Sequence, residues 1–240
     1  MKTIKLEMLF GEVANLYGDP FNIRYLHQSI PKSELICTSL TDTPRFMKED
    51  VDFIYMGPMP EYAQELALEK LAPCRDRIAE LIEGGTVFLI TGNALELFGK
   101  AIETEDGRSI PCLGFFDTTA RRKMMNRYNG LFLGTFEKTK IVGFKTQFSH
   151  SYGFGDDEGL FKRLGGDGLA PGAGYEGLRR NNFFATYLVG PLLVLNPEFP
   201  KYILELLGTD RDPAFYKDAL KAYFKRLAEF ERSGLQFVTD

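Results

Sequence analysis

The stretch Thr86–Gly99, TVFLITGNALELFG, decides how the rest of the chain is read. Thr86 to Ile90 is a short continuous apolar run, as expected for a strand covered by helices on both faces of a parallel sheet. The chain then turns sharply at Gly92 and is expected to enter a helix near Ala94. In open α/β sheets ligands bind outside the carboxyl ends of the strands, so Thr91-Gly92-Asn93 is where a site is expected. A nucleophile in such a turn is held exposed, beside backbone N–H groups able to stabilise an oxyanion. Here the turn holds glycine.

Working toward the N-terminus, Ile4, Leu6, Met8 and Phe10 alternate with the period of a half-buried strand, and Asn22 to Ser29 reads as a helix. Leu35 to Leu40 and Phe53 to Met56 read as strands, the latter followed by a Gly-Pro turn. Glu61 to Glu83 carries Leu66, Leu68, Leu71, Ile78 and Leu81 at helical spacing and closes at Gly84-Gly85. This alternation of strand and helix implies right-handed crossovers. The expected fold class is α/β, a three-layer sandwich around a central, mostly parallel sheet.

Toward the C-terminus, Leu131–Phe136 and Ile141–Phe148 read as strands paired antiparallel, and the Gly- and Asp-rich span Ser151–Gly177 reads as loop. Phe183–Leu188 reads as another strand. Asp212-Pro213 supplies an N-cap and a first-turn proline, so a terminal helix is expected at about residues 213–233, with Phe215, Tyr216, Leu220, Tyr223, Leu227 and Phe230 as its stripe. There is no internal repeat and no linker, so residues 1–240 are expected to form a single domain.

Hydrophobic residues make up 44% of the 240 and charged residues 26%, which marks an ordinary globular chain. The net charge of −4 with dispersed Lys and Arg gives no footprint for a phosphate backbone, so no nucleic-acid partner is expected. The densest basic cluster is Arg121, Arg122, Lys123 and Arg127. No run reaches the roughly 20 apolar residues that span a bilayer, and no basic segment precedes an apolar one at the start. A cytoplasmic location without membrane insertion is therefore expected. Cys37, Cys74 and Cys112 are odd in number and widely spaced, which argues against disulfides and zinc.

Asn15-Leu16-Tyr17-Gly18-Asp19 with Asn22-Ile23, and Glu176-Gly177 followed by Ala185-Thr186-Tyr187-Leu188-Val189-Gly190-Pro191-Leu192-Leu193 with Asn196-Pro197, carry a family resemblance over most of residues 1–208. The chain resembles the class I glutamine amidotransferases of the cobyric acid synthase (CobB/CobQ) type. Within them it is most similar to the glutaminase subunits of lipid II isoglutaminyl synthases. The resemblance implies a flavodoxin-like sandwich, no cofactor and no metal, and a synthetase or Mur-ligase-like partner protein that receives ammonia for peptidoglycan-precursor or cobyric-acid-type amidation.

The departures from the family fall on its chemistry. The elbow Cys-Gly-Gly-Tyr-Gln-x-x-Gly corresponds here to Gly92-Asn93-Ala94-Leu95-Glu96-Leu97-Phe98-Gly99, which puts Gly92 at the nucleophile position. The closing Thr-Tyr-Leu-His-Gly-Pro corresponds to Thr186-Tyr187-Leu188-Val189-Gly190-Pro191, which puts Val189 at the base position. Glycine and valine can be neither a thiolate nor its base. The glycine-rich turn that helps form the family's oxyanion hole is here Gly57-Pro58-Met59-Pro60, and proline has no N–H to offer. Lys145 in Gly143-Phe144-Lys145 stands where the family has an acid.

The expected catalytic set is therefore empty, and the expected binding set is Gly57, Gly92, Asn93, Arg127 and Val189, with Arg127 matching a family arginine near the active site. Cys112 and His150 are the remaining candidates for displaced chemistry; His27 reads as a residue of the early helix. The Gly165–Gly174 run lacks the Lys-Ser/Thr of a phosphate loop. Three readings stay open: a non-catalytic binding or regulatory subunit for a synthetase, a module binding a small amide or carboxylate in the vacated pocket, and an active glutaminase with displaced residues.

Overall fold

In a computed structural model, which describes residues 2–239, the apolar run after Thr86 forms a strand whose five residues are all buried. In chain order the strands are β1 (Ile4–Leu9), β2 (Ser33–Thr38), β3 (Phe53–Met56), β4 (Val87–Thr91), β5 (Ala101–Glu103), β6 (Ser109–Pro111), β7 (Thr119–Arg122), β8 (Tyr128–Phe136), β9 (Thr139–Gln147), β10 (Ser149–Tyr152), β11 (Gly159–Gly165), β12 (Tyr175–Arg180), β13 (Phe183–Thr186) and β14 (Val238–Thr239). The helices are α1 (Phe21–Ser29), α2 (Glu61–Leu71), α3 (Arg75–Glu83), α4 (Leu192–Leu195), α5 (Glu198–Leu206) and α6 (Tyr216–Phe230).

The main sheet runs β14-β8-β11-β12-β13-β4-β3-β1-β2, with β9 paired to β8; a second sheet runs β10-β7-β5-β6. From β13 to β2 every pairing is parallel, and from β12 outward every pairing is antiparallel. Alternate residues of one strand serve opposite layers. Phe88 and Ile90 pack in the core that α2 and α3 close with Ala63, Leu71 and Ile78. Val87 and Leu89 pack in the core that α1 and α5 close with Ile23, Leu26 and Ile203. Two covered faces explain why β3 and β4 read as unbroken apolar runs.

Several sequence expectations need correction. The helix read over Glu61–Glu83 is two, because Pro73 within the 3-10 turn Ala72–Cys74 cannot donate to the ladder; Leu66 of the supposed core stripe is exposed. The elbow leads into a 3-10 turn, Gly92–Phe98, rather than an α-helix. The span Ser151–Gly177, read as loop, holds the end of β10, all of β11 and the start of β12. Its glycines mark close packing: a Cβ on Gly159 would overlap the Tyr175 ring, and one on Gly165 would meet the Phe237 ring. Asp212 does not cap α6; it pairs with Lys201 at 3.0 Å, and the helix starts after Phe215, held at φ +56°. Of the predicted stripe, Tyr223 is buried while Phe215 points to solvent.

Candidate functional site

Thr91 ends β4 and Gly92 turns the chain at φ +60°. That left-handed conformation suits glycine, and space demands it too: a Cβ at 92 would overlap Cβ of Pro58 and lie 3.2 Å from its Cα and Cγ. The side chain of Pro58 thus occupies the volume into which a residue at 92 would project. Gly57 is equally confined, since a Cβ there would sit 2.7 Å from the Tyr55 hydroxyl and 2.9 Å from the Ala14 carbonyl.

In the turn 58–60 the one backbone donor is engaged. The Met59 N–H donates to Asn93 Oδ1 at 3.0 Å, and Asn93 Nδ2 donates back to the Met59 carbonyl at 2.7 Å. Gln64 Nε2 holds the Asn93 carbonyl at 2.7 Å, and the Leu16 N–H donates to the Pro58 carbonyl at 3.2 Å. Pro58 and Pro60 have no N–H. The turn 57–60 is therefore latched onto Asn93, leaving the Met59 amide engaged.

The elbow is tied to the segment after β13 through one buried carboxylate. Asp19 accepts from the Thr91 hydroxyl, from the Tyr55 hydroxyl at 2.7 Å and from the Gly190 N–H at 2.8 Å. Burial raises its pKa, and the hydrogen bonds from Thr91, Tyr55 and Gly190 partly oppose the rise. Thr91 and Thr186 are register partners in β4 and β13. Gly92 and Val189, the positions expected for nucleophile and base, each adjoin a residue that bonds Asp19. Val189 is buried and its N–H donates to the Phe144 carbonyl at 3.1 Å.

A cleft of about 220 Å³ opens beside the elbow, with Tyr17, Pro58, Glu61, Asn93, Arg127 and Phe148 among its walls. Two of the five expected binding residues, Asn93 and Arg127, line it. Gly57, Gly92 and Val189 lie buried and are not part of its lining. The Arg127 guanidinium lies 4.6 Å above the Phe148 ring.

Lys145 is not in the cleft. It is fully buried in β9, 3.0 Å from Glu176 Oε2, with a second bond of 2.6 Å to the Gly168 carbonyl. Glu176 Oε1 accepts from the Thr186 hydroxyl at 2.9 Å and the Tyr187 N–H at 2.7 Å. Lys145, which stands where the family has an acid, thus pairs with an acid inside the sheet. No spacing in the sequence announces a pair 31 residues apart. Beside it Glu96 accepts from Gln64 at 3.0 Å, from the Tyr187 hydroxyl at 3.1 Å and from Ser149, while Arg122 holds Gln64 at 2.9 Å. Burial raises the Glu96 pKa.

The displaced-residue candidates do not meet. Burial, then the nearby Glu96 charge, pushes the Cys112 thiol up to about 12, and its sulfur faces the Ile110 carbonyl at 3.5 Å. His150 is lowered by burial and by Lys145, and it lies against Gln147 and the Tyr128 ring. A protonated thiol is a poor nucleophile. His27, on α1, bonds Ser33 at the start of β2 at 2.9 Å. Among the described residues no group of three or more His, Cys, Asp or Glu could hold a metal ion, and no helix is long and apolar enough to cross a membrane.

Residues 7–196 match the CobB/CobQ-like glutamine amidotransferase domain. The lipid II isoglutaminyl synthase (glutamine-hydrolyzing) subunit GatD of Staphylococcus aureus (strain N315) is 26% identical over 208 residues, covering 85% of this chain and 84% of that protein. The GatD subunit of Streptococcus pneumoniae (strain ATCC BAA-255 / R6) is 24% identical over 200 residues, covering 80% and 76%. Among solved structures, PurLQS from Thermotoga maritima superposes with a TM-score of 0.55 at 13% identity, covering 94% of this chain and all of that one. A crystal structure of a glutamine amidotransferase superposes with a TM-score of 0.54 at 15% identity, covering 85% and 100%.

Proposed function

The chain belongs to the CobB/CobQ-like glutamine amidotransferase family, and from that premise we propose that it is a non-catalytic subunit which binds a synthetase partner without hydrolysing glutamine. The observation that carries the reading is the packing of Pro58 into the space a side chain at Gly92 would need. Attack on an amide carbon requires a thiolate or hydroxyl nucleophile, a base to take its proton and donors for the oxyanion. Position 92 supplies no nucleophile, Val189 supplies no base, and the latched turn 57–60 offers no free amide at Met59. The cysteine and histidine that remain point elsewhere.

The partner in this reading is a Mur-ligase-like synthetase with its own ATP site, the two working in the cytoplasm on a peptidoglycan precursor. The similarity to two subunits of lipid II isoglutaminyl synthases over more than three quarters of their length supports that choice. A small carboxylate or amide in the cleft is a second reading, favoured by Arg127, whose guanidinium stacks on Phe148 in the cleft wall.

Two measurements on purified protein test the proposal. Incubation with glutamine should release no ammonia above buffer; release abolished by Cys112→Ser or His150→Ala would restore the displaced-glutaminase reading. Co-expression with the Mur-ligase-like synthetase of the same genome should yield a complex that survives size-exclusion chromatography. Separate elution at micromolar concentrations contradicts the subunit role.

A further inference from the structure

The amino ends of the parallel strands, at the far end of the sheet from Thr91 and Gly92, carry a second and larger cavity. It measures about 690 Å³, against about 220 Å³ for the cleft beside the elbow. Its floor is apolar: Ile4 opens β1, Ile30 and Pro31 lead from α1 toward β2, and Leu206 and Leu207 end α5. Ile30 is buried, while Ile4, Leu206 and Leu207 pack against the core that α1 and α5 close and keep part of their surface open. Small-molecule sites have this character, at roughly 300–1,000 Å³ with an apolar body and a few polar groups.

The walls are fixed by hydrogen bonds, so the cavity exists before anything enters it. The Ile4 N–H donates to the Lys32 carbonyl at 3.0 Å, which ties the start of β1 to the turn after α1. The Leu207 N–H donates to the Ile203 carbonyl at 3.0 Å and the Thr209 N–H to the Leu204 carbonyl at 2.9 Å, closing α5 through Gly208 at φ +71°. Asp52 on the wall is spent: it accepts from the Lys2 ammonium at 2.7 Å and from the Lys5 N–H at 2.9 Å. Arg211 differs. Among the described residues its guanidinium has neither an ion pair nor a hydrogen bond, and it stands exposed on the rim with Lys32, against Asp210 as the remaining acid. An apolar floor below a cationic rim matches a molecule with an apolar body and one carboxylate, the group a guanidinium binds in two prongs.

We propose that this cavity binds a small amphipathic monocarboxylate, an acid whose aliphatic body rests on Ile30, Leu206 and Leu207 and whose carboxylate pairs with Arg211. The site lies at the other end of the sheet from the elbow, so it stands whether or not the subunit reading above holds. A bound acid joins the ends of α1 and α5 to the start of β1. It should therefore raise the melting temperature once its concentration exceeds its Kd.

The test is calorimetry on the purified chain with hexanoate, octanoate and octylammonium as probes. Octanoate should bind one-to-one with a Kd of about 1 mM or tighter, and about ten-fold more tightly than hexanoate, the gain expected from two more buried methylenes. Octylammonium, with the same chain and the opposite charge, should bind at least about ten-fold more weakly. Arg211→Glu, at an exposed position that leaves the fold intact, should weaken octanoate binding at least about ten-fold, and Leu207→Arg, which fills the cavity, should abolish it. No octanoate binding at about 10 mM, equal binding of octylammonium, or binding unchanged in both variants overturns the proposal. Binding lost instead in Arg127→Ala places the acid in the elbow cleft and also overturns it.

Discussion

Two regions lie where the family resemblance put chemistry, and they are built in different ways. At the elbow, Gly92 is overlaid by Pro58 and the neighbouring turn is latched by Asn93, so the site is filled by apolar volume and spent hydrogen bonds. Between β9 and β12, Lys145 faces Glu176 at 3.0 Å with both side chains fully buried, so an acid is neutralised by a cation. A filled site resists addition; a paired charge resists removal. Each region should therefore fail under a different substitution, and the two failures separate the explanations.

The largest expected effect is at the charge pair. Lys145→Glu places two carboxylates together in the sheet core, and it should destabilise the protein by about 3–5 kcal/mol or prevent folding, as loss of one buried partner does. Denaturant unfolding measures it. Lys145→Met with Glu176→Gln removes both charges and should recover most of the loss; no recovery would mean that the sheet tolerates the charges and the pair is not what holds the region.

At the elbow the effects are smaller. Gly92→Cys must push Pro58 aside at a left-handed φ, costing about 2–4 kcal/mol from overpacking and backbone strain together. Pro58→Gly alongside it should return part of that. Asn93→Ala frees both polar groups of Met59 and should cost about 1–2 kcal/mol, seen as a lower denaturation midpoint. An Asn93→Ala protein as stable as wild type would show that the turn needs no latch.

The smallest expected effect comes from pH. Burial raises the Glu96 pKa, so its ionised form costs stability in the folded state. The cost is fully present above the folded pKa and disappears as pH falls to the ordinary carboxylate value. Glu96→Gln should remove that slope, a change of at most about 1.4 kcal/mol per pH unit, measured as the difference between mutant and wild-type stability from pH 8 to pH 5. A parallel pair of curves would contradict the assignment.

What the sequence disclosed follows from the range of the interactions. The unbroken run Val87–Thr91 and the alternating Ile4–Phe10 segment carry their burial in local pattern, so the parallel half and its turn were legible. The motif alone put Gly92 and Val189 at the expected nucleophile and base positions, where the sequence has neither thiol nor imidazole. The antiparallel β11 was not, because glycines that read as loop are there to admit the rings of Tyr175 and Phe237. Nor was the pairing of Lys145 with Glu176 or the overlay of Pro58 on Gly92, since both join residues some thirty positions apart. Asp19 was visible as a motif residue, while its bonds to Thr91 and Gly190 belong to the folded sheet.

The most direct test of a filled rather than merely emptied elbow is ammonia release from glutamine by Gly92→Cys/Val189→His, checked for folding by its melting curve. The double variant restores nucleophile and base, yet Pro58 still crowds position 92 and no backbone donor returns at residues 58 or 60. One lost oxyanion donor alone typically costs about 100- to 1,000-fold in rate. The account predicts a folded protein with no release above buffer; turnover at roughly 1 per second, an ordinary enzymatic rate, would contradict it.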